Sequence, residues 1–572
     1  MKQLMGLKVL VLGLGDSGLA MAAWALRYGA TAAVWDSRAQ PPQLATLREQ
    51  LPAVEFFHGE LPESALAGVQ LVLKSPGLSP LDARLQPLLN LARATGIPVQ
   101  GELDLFARAL ADLKAERRYA PAVLAITGTN GKTTTTCMTA LLAERAGKRV
   151  AVAGNIGPSM LTTLAQALDL EPAELPAELV EAPVEAQDLT PVADETPEAQ
   201  PEPIVELSTL DEVDALLDEQ PLPIKPPPKG PVFEHLPEVW VLELSSFQLD
   251  SVQGFEPTAA AVLNITQDHL DWHGDMAAYA RAKARVFGEH TLMVINRDDA
   301  LVEAMVPAPV LVKQGRGRAA KLQSRTVLRF GLNAPDHPGD YGLVSEGGMA
   351  WLVRAREVDE TLKRRKDEDA EEIILQRLMP ADALRVRGRH NAANALAALA
   401  LASAAGCELA PMLHGLRDYR GEPHRVEYVA SIRGVDFYDD SKGTNVGATV
   451  AAINGLGADR APAKLVLILG GDGKGQDFSP LREGVARHGR AVALIGRDAA
   501  QIEAALQDSQ LPMQRHATLE AATSWCLQQA HSGDSVLLSP ACASLDMFRN
   551  YGHRAEVFVA QVHELANDGG LS

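Results

Sequence analysis

The segment from Gly128 to Thr134 combines the residue types that bind a phosphate chain. It reads Gly-Thr-Asn-Gly-Lys-Thr-Thr after an apolar run, and a helix-forming stretch follows it. The first glycine of the usual G-x-x-x-x-G-K-[ST] pattern is missing. The essential groups remain, because Gly128 and Gly131 let backbone amides approach phosphates, Lys132 supplies charge and Thr133 offers a hydroxyl to Mg²⁺. The segment therefore predicts a shortened phosphate loop.

Two more segments place polar groups directly after apolar runs. Glu243 ends Val-Trp-Val-Leu-Glu, and Asp-His-Leu-Asp-Trp-His, beginning at Asp268, follows Ala-Ala-Ala-Val-Leu-Asn-Ile. Parallel strands would bring both to the sheet edge that carries the phosphate loop, so we interpret Glu243 and His269 as metal contacts. Taken alone, Glu243 would be a polar residue at the end of a strand. His269 would be a structural histidine whose hydrogen bonds are made within the protein. Lys283, on spacing alone, would be a solvated helix residue.

A second glycine-rich turn lies near the N-terminus. Gly13-Leu-Gly-Asp-Ser-Gly18 joins an apolar strand to a helix, and the next strand ends at Asp36. This pattern suits a dinucleotide site with Asp36 as the ribose acceptor. It also suits any diphosphate bound by the amides of a helix N-terminus, or a purely structural turn.

Three glycine-marked strand–loop–helix units position these groups. They begin near residues 7, 121 and 464, and their recurrence predicts an α/β fold with doubly wound parallel sheets. We expect three domains, at residues 1–99, 100–420 and 421–572. An Ala-rich helix from Asn391 to Ala405, with Asn391 as its N-cap, should close the middle domain.

Two charged segments interrupt the middle domain. Residues 169–230 contain 17 acidic residues, two lysines and 12 of the 36 prolines, without an aromatic residue. Their net charge of −15 leaves only −5 of the total −20 for the remaining chain. Such a segment cannot bury enough apolar surface to order, so we predict a disordered insert. It would be a solvated spacer or a docking or regulatory tail. Residues 354–380 should form a charged surface excursion.

Composition excludes several classes of function. The charge of −20 argues against nucleic acid as a partner. The apolar runs are too short for a membrane helix, and the N-terminus lacks the cleavage site of a signal peptide. Four widely spaced cysteines argue for a reducing compartment and against a structural zinc site. We therefore expect a cytoplasmic protein.

The motifs together resemble the Mur ligase family. Besides the shortened phosphate loop, the resemblance rests on EPHRVEYV, YDDSKGTNVGA, LGGDGKGQDFSP and LLSPACASLDMFRNYGHR in the last third of the chain, which are similar to the D-glutamate-adding members. It covers nearly the whole chain outside the two charged segments. It implies a Rossmann-like N-terminal domain, a central ATPase-like domain and a Rossmann-like C-terminal domain. It also implies ATP-dependent addition of D-glutamate to UDP-N-acetylmuramoyl-L-alanine through an acyl phosphate, during peptidoglycan precursor synthesis.

The resemblance assigns ligands and site residues. ATP and two Mg²⁺ ions are implied, with small-molecule substrates as partners and a monomeric enzyme. For ATP it implies Gly128, Thr129, Asn130, Gly131, Lys132, Thr133, Thr134, Asn394, Arg425, Asp440 and Lys442. For the UDP substrate it implies Leu14, Gly15, Asp16, Ser17, Ser37, Arg38, Ser75, Asn155 and Gln248. For D-glutamate it implies Thr444, Lys474, Ser544, Leu545 and Tyr551. For catalysis and metal binding it implies Lys132, Thr133, Glu243, His269 and Lys283, the last as a carbamate formed from CO₂. Relatives often carry Thr at position 16 and commonly Phe at position 551, so at both positions we count on backbone amides.

Three other interpretations would each account for part of the sequence. A Rossmann dehydrogenase would use Gly13 to Asp36 but would leave the phosphate loop without a purpose. A folylpolyglutamate-type ligase would keep the ATP chemistry with folate and glutamate as substrates. A non-catalytic nucleotide-binding scaffold would have lost a catalytic residue, whereas Lys132, Glu243 and His269 are all present.

Overall fold

The computed structural model describes residues 2–172, 233–312, 321–358, 373–386 and 388–569. Residues 173–230 of the predicted disordered insert and 359–372 of the predicted excursion lie outside these ranges. Within them, no helix is long and apolar enough to cross a membrane. The four cysteines are free thiols, and three of them are buried.

The first sheet consists of five parallel strands around the N-terminal glycine loop. Its elements are β1 (Lys8–Leu12), α1 (Asp16–Arg27), β2 (Thr31–Asp36), α2 (Leu44–Gln50), β3 (Glu55–His58), β4 (Leu71–Lys74), α3 (Gln86–Ala94) and β5 (Val99–Gln100). The strand order is β3-β2-β1-β4-β5, and all neighbours run parallel. The order reverses between β1 and β4, the point at which such sheets bind ligands.

The middle sheet has nine strands and carries the phosphate loop at the end of the third strand from one edge. Its first elements are α4 (Glu102–Arg117), β6 (Ala122–Thr127), α5 (Lys132–Arg145), β7 (Val150–Gly154), α6 (Met160–Leu170), β8 (Val239–Glu243), α7 (Ser246–Leu249), β9 (Ala259–Val262), α8 (Leu270–His273), α9 (Met276–Ala284) and β10 (Leu292–Asn296). The later ones are α10 (Ala300–Glu303), β11 (Val310–Val312), β12 (Lys321–Gln323), β13 (Val327–Phe330), β14 (Tyr341–Glu346), β15 (Met349–Glu357), β16 (Ile373–Pro380), α11 (Arg389–Ala404) and α12 (Leu409–Asp418). The strand order is β16-β15-β14-β13-β10-β9-β6-β8-β7, and β11 pairs with β12 separately.

The third sheet belongs to the C-terminal part of the chain. Its elements are β17 (Glu427–Ile432), β18 (Val435–Asp439), α13 (Val446–Asp459), β19 (Leu465–Gly470), α14 (Leu481–His488), β20 (Gly489–Ile495), α15 (Ala499–Leu506), β21 (Met513–Arg515), α16 (Leu519–Gln529), β22 (Ser535–Leu538) and α17 (Tyr551–Gly569). The strand order is β17-β18-β22-β19-β20-β21. The predicted α/β architecture with three sheet-based domains is confirmed, while the boundaries at 99/100 and 420/421 stay predictions.

Two hairpins add antiparallel strands that the prediction of parallel sheets did not include. Strands β14, β15 and β16 are antiparallel neighbours, and so are β17 and β18. The β14–β15 turn is Gly347-Gly348, with φ of 58° and 81°, and the β17–β18 turn is Arg433-Gly434, with φ of 53° and 78°. Positive φ at both positions gives the two-residue turn that suits a twisted hairpin. The ends of the predicted excursion are therefore strands.

The Ala-rich helix α11 begins earlier than predicted. Its N-cap is Gly388, with φ of 93°, so Asn391 is the third helical residue and its assignment as N-cap is wrong. Glycine tolerates this conformation, which lets the helix start at Arg389. From Ala395 to Ala402 the helix is buried on all sides, and its small side chains permit close packing against the phosphate-loop helix α5.

Candidate active site

The shortened phosphate loop joins β6 to α5 and requires its two glycines. Gly128 has φ of 151° and Gly131 has φ of 83°. A Cβ atom on Gly131 would lie 2.6 Å from Asn394 Oδ1, and one on Gly128 would lie 3.0 Å from Leu263 Cβ. Lys132 Nζ folds over the loop and donates to the carbonyls of Gly128 and Thr129, at 2.9 and 2.8 Å. The loop has the form of an anion-binding site at a helix N-terminus.

Glu243 lies beside this loop with one oxygen unpaired. It ends β8, pairs in register with Ile126 and is only 1% exposed. Its Oε1 accepts from Asn155 Nδ2 at 2.7 Å, whereas Oε2 is buried without a hydrogen-bond partner in the described chain. A buried carboxylate oxygen without a partner is costly, so this atom is suited to bind a cation.

His269 precedes α8 in a left-handed conformation, with φ of 52°. Its Nε2 lies 3.5 Å from Asp268 Oδ2. Burial lowers the pKa of His269 against the opposing charge of Asp268, and the cations Lys474, Lys132 and Lys283 lower it further. The imidazole is therefore neutral at pH 7, and the neutral form is the one that binds metals.

Lys283 is buried under the phosphate loop and is not the solvated helix residue that spacing alone predicts. It is 1% exposed, its Nζ donates to Gly128 O at 2.8 Å, and it lies 4.7 Å from the centre of the Tyr279 ring. Burial, together with the charge of Lys132, lowers the pKa of Lys283 well below its usual range, although Asp268 and Glu243 oppose this. The structure thus favours an uncharged amine here.

The donors around the loop fit a divalent cation. They comprise the lone Oε2 of Glu243, the neutral imidazole of His269, the hydroxyl of Thr133 and the amine of Lys283. Glu243 and Thr133 supply oxygen donors, one of them a carboxylate, which Mg²⁺ prefers, whereas His269 and Lys283 offer nitrogen. As an ammonium, Lys283 would repel such an ion, which agrees with its lowered pKa.

The C-terminal domain contacts the phosphate loop directly. Arg425 Nη2 donates to Thr133 Oγ1 at 2.6 Å. Asn130 and Asn445 exchange two amide hydrogen bonds, of 3.0 and 3.3 Å. A cavity of about 90 Å³ lies between the two domains, lined among others by Gly131, Asn394, Arg425, Asp440 and Lys442. Residues from both domains therefore line one cleft beside the phosphate loop.

Asp440 contributes a buried carboxyl group to this cleft. It is 6% exposed and accepts from Ser539 Oγ at 2.6 Å. Burial raises the pKa of Asp440 to about 7, although Ser539 and Arg425 favour the charged form. Asn394 is buried opposite it, and its Nδ2 donates to Asn391 Oδ1 at 3.2 Å.

The residues expected to bind D-glutamate all lie in the C-terminal part of the chain. Lys474 has φ of 51° and is exposed, and its charge reaches His269. Ser544 is buried, whereas Leu545 is 71% exposed. Tyr551 begins α17, and its ring centre lies 3.8 Å from Lys442 Nζ. Thr444, next to the Asn445 cap of α13, is half-buried.

The N-terminal glycine loop leaves Asp36 unable to accept a ribose. Asp36 is 3% exposed, and it accepts from Leu14 N at 2.8 Å and from Arg38 N, Nε and Nη2 at 2.9 Å each. These bonds use both carboxylate oxygens within the protein, which removes the support for a dehydrogenase. As expected, Asp16 is turned aside, with its Oδ1 accepting from Gln43 Nε2 at 2.7 Å.

Some of the other side chains predicted for the UDP site form hydrogen bonds at the N-terminal glycine loop, and the rest lie in other parts of the structure. Ser17 Oγ donates to Glu102 Oε2 at 2.6 Å, and Ser75 Oγ donates to Gly13 O at 3.0 Å. Gly15 has open space above it, and Ser37 and Arg38 follow β2 at the same sheet edge. Asn155 lies on Glu243, while Gln248 caps α7 through Ser245. Of these two, Asn155 therefore contacts the carboxylate beside the phosphate loop.

Several contacts escaped the sequence analysis. Asn445 stands directly before a helix, and that N-cap signal was available, but its bond to Asn130 spans 315 positions. Tyr279 Oη lies 3.2 Å from Thr129 Oγ1, a contact that no local pattern indicates. Lys74 and Trp272, discussed below, are also joined only by the tertiary fold.

Comparison with known proteins gives matches along most of the chain. "Mur ligase MurD-like, N-terminal domain" matches residues 7–101, "Mur ligase middle domain" matches 126–182 and 232–402, and "Mur ligase, glutamate ligase domain" matches 424–542. UDP-N-acetylmuramoylalanine–D-glutamate ligase of Albidiferax ferrireducens is 53% identical, over 99% of this chain and 97% of that protein. The ligase of the same name from Polaromonas sp. is 47% identical over the full length of both chains.

Solved structures are similar in fold. UDP-N-acetylmuramate-alanine ligase from Thermotoga maritima aligns with a TM-score of 0.50 at 17% identity, covering 97% of this chain and 99% of that one. MurF ligase from Thermotoga maritima, in complex with ADP, aligns with a TM-score of 0.50 at 15% identity, covering 99% and 97%.

Proposed function

The chain belongs to the Mur ligase family, and we propose that it uses ATP to join D-glutamate to UDP-N-acetylmuramoyl-L-alanine in peptidoglycan precursor synthesis. Relatives of that name match it over its full length. The observation that carries the proposal is the convergence of Lys132, Glu243, His269 and Lys283 on one phosphate loop. A scaffold without catalysis would have no need of a buried, unpaired carboxylate oxygen.

The first step activates a carboxylate, because amide formation in water is unfavourable. Loop amides of Gly128 to Gly131 and the ammonium of Lys132 bind the phosphates of ATP, with the adenosine part near Asn394, Arg425, Asp440 and Lys442. A carboxylate oxygen of the substrate attacks the γ-phosphorus, the bond to the ADP oxygen breaks, and an acyl phosphate forms. Such transfer is governed by positioning and electrostatics. Bound Mg²⁺, held by Thr133, Glu243, His269 and Lys283, would supply charge neutralisation.

Lys283 would bind the cation after its amine has been converted to a carbamate. Its neutral amine adds CO₂ and releases one proton, which gives a carbamate with a terminal carboxylate. The side chain then changes from a group that repels a cation to one that binds it. Burial and the lowered pKa of Lys283 support the uncharged amine that this addition needs.

The second step forms the amide. The amine of D-glutamate attacks the acyl carbon, the bond to phosphate breaks, and the nitrogen loses a proton. Thr444 and Lys474 would hold the α-carboxylate, and Ser544, Leu545 and the region of Tyr551 the side-chain carboxylate. The nucleotide-sugar would bind at amides of Leu14, Gly15, Asp16 and Ser17, with Ser37, Arg38 and Ser75 nearby, and with Asn155 and Gln248 on the muramoyl side. Two domains share ATP, so domain closure would gate the reaction of a monomer.

Phosphate release tests the proposal. The assay supplies ATP, Mg²⁺ and UDP-N-acetylmuramoyl-L-alanine with D-glutamate, L-glutamate, meso-diaminopimelate or no amino acid. We expect release only with the nucleotide-sugar and D-glutamate together. Release with another amino acid, or with folate and L-glutamate, would contradict the substrate assignment, and no release at all would contradict the activity.

A further inference from the structure

A buried lysine lies where the N-terminal sheet meets the middle domain. Lys74 ends β4 opposite Leu12 of β1, at the switch point of the sheet. It is 7% exposed, and its Nζ donates to Leu78 O at 2.8 Å. The next residue, Ser75, bonds the glycine loop through Gly13 O. Lys74 therefore adjoins the expected diphosphate site on one side.

No carboxylate of the described chain forms an ion pair with this ammonium. The acidic group whose charge reaches Lys74 is Asp250, which itself lies 3.6 Å from Arg285. Burial lowers the pKa of Lys74 to about 8, so the group is still mainly protonated at pH 7. This buried cation has one carbonyl and one indole ring as its partners in the described chain, and such a charge is costly unless an anion joins it.

The middle domain brings a second donor to the same place. Lys74 Nζ lies 5.7 Å from the centre of the Trp272 ring. Trp272 is 8% exposed, and its Nε1 is buried without a hydrogen-bond partner in the described chain. Buried indole N–H groups usually have an acceptor. Trp272 follows His269 by three residues, so the contact between Lys74 and Trp272 joins the N-terminal sheet to the segment that carries His269.

We propose that Lys74 and Trp272 form an anion-binding subsite that takes an anionic oxygen of the nucleotide-sugar substrate. This rests on the proposed function and deepens it. The diphosphate and the alanyl carboxylate of that substrate share the required chemistry, since each offers oxygens that accept from an ammonium and an indole N–H. The subsite would span the junction of the two domains and fix the substrate between its two ends.

Two substitutions test the subsite, and a third serves as a control. Lys74→Met keeps the buried stem without the charge, and Trp272→Phe keeps a buried ring without the N–H. Lys8→Met is the matched control, because Lys8 Nζ also donates to a backbone carbonyl, Ala67 O at 3.0 Å, on the exposed opposite side of the same domain. We expect Lys74→Met and Trp272→Phe to weaken substrate binding about tenfold, the loss of one charge-assisted or buried hydrogen bond. ATP binding and the Lys8→Met variant should be unaffected.

Thermal melting separates binding from a structural role. Trp272→Phe removes an unpaired donor but also leaves a cavity beside Phe247 and His273, so its Tm should fall modestly, and binding measured well below that Tm cannot be weakened by unfolding. Calorimetry with UDP and with UDP-N-acetylmuramoyl-L-alanine identifies the oxygen. Weaker binding of both ligands indicates the diphosphate, and weaker binding of the second alone indicates the carboxylate. Normal affinity in both variants would overturn the subsite. A wild-type chain that binds neither ligand would overturn the proposed function and the subsite with it.

Discussion

At the scale of single residues, the unpaired Oε2 of Glu243 is the feature that most directly indicates a cation site. Glu243→Gln keeps an oxygen for Asn155 but removes the charge. We expect the Mg²⁺ concentration for half-maximal phosphate release to rise at least about tenfold, with Tm unchanged or higher. Glu238→Gln, just before the same strand, is the control, since Glu238 pairs with Arg149 at the surface. Unchanged Mg²⁺ dependence in Glu243→Gln would remove this residue from the metal site.

Lys283 gives a prediction about charge and modification. Lys283→Arg places a permanent cation where the structure favours a neutral amine, and it cannot form a carbamate, so we expect turnover to fall by about 100-fold or more. Arg281→Lys, on the same helix with its side chain exposed, should change little. Mass measurement of the intact protein in bicarbonate buffer should show the carbamate in the wild type only. An active Lys283→Arg variant would contradict the proposed role.

Asp440 gives a prediction about pH. Burial raises the pKa of Asp440 to about 7 in the folded state, from the ordinary value of 3.8 that we take for the unfolded chain. Because the folded state holds the proton more tightly, the stability contributed by this group is complete below pH 4 and is lost as the pH rises through 7. Asp440→Asn should therefore be more stable than the wild type at pH 8, by up to roughly 4 kcal/mol, with no difference near pH 4. Urea unfolding at both pH values checks this, with the exposed Asp508→Asn as control. A constant difference would contradict it.

Which site residues could be predicted from the sequence depends on how far apart in the chain the contacting residues are. Lys132, Glu243 and His269 each end a strand or open a helix, so their motifs show in a few consecutive residues. The burial of Lys283 does not show in this way, because it arises from β6 and the phosphate loop, more than 150 positions earlier. The pairing of Lys74 with Trp272 joins two domains, which no periodicity records.

At the scale of elements, the strand–loop–helix units were predictable because apolar runs and glycines mark their ends. The antiparallel hairpins were missed: Gly347-Gly348 is itself a two-residue turn signal, whereas Arg433 in the β17–β18 turn has a positive φ that its residue type does not indicate. The start of α11 was misplaced for a related reason, as the preference of Asn391 for an N-cap was outweighed by Gly388 and its positive φ.

Asn445, the N-cap of helix α13, contributes both to the stability of that helix and to the nucleotide cleft. Asn445 accepts from Ala448 N at 2.9 Å as its N-cap and also exchanges hydrogen bonds with Asn130. Asn445→Asp keeps the cap but cannot donate to Asn130, whereas Asn445→Ala loses both. We expect both variants to raise the KM for ATP several-fold, and only Asn445→Ala to lose about 1 kcal/mol of stability. Kinetics and thermal melting separate the two effects.

The N-cap of a distant helix provides the control for the two Asn445 variants. Thr518 caps α16 by accepting from Ala521 N at 3.2 Å, away from the cleft. Thr518→Ala should lower stability to a similar extent with no change in the KM for ATP. If Asn445→Asp had a wild-type KM, the contact between Asn445 and Asn130 would be packing without a role in nucleotide binding.

At the scale of the whole molecule, the described residues on the two sides of the largest predicted insert lie next to each other. Glu171 Oε1 accepts from Glu234 N at 2.8 Å, and Oε2 accepts from His235 N and Leu236 N at 2.8 and 2.9 Å. The chain therefore leaves the middle domain after residue 172 and returns before residue 233 at the same point. The family match also stops at residue 182 and resumes at 232.

This geometry predicts that residues 173–230 can be replaced by about four glycine and serine residues without loss of the fold. We expect the shortened enzyme to keep the Tm and turnover of the full chain, because the carboxylate of Glu171 holds both ends together. Adding Glu171→Ala should destabilise the shortened chain by removing three amide acceptors. Growth of cells that depend on this enzyme separates the two roles considered for the insert. Normal growth indicates a spacer, whereas normal turnover in solution with impaired growth indicates a docking or regulatory segment. Loss of turnover in the purified shortened enzyme would contradict both, since it would place residues 173–230 in the catalytic reaction itself.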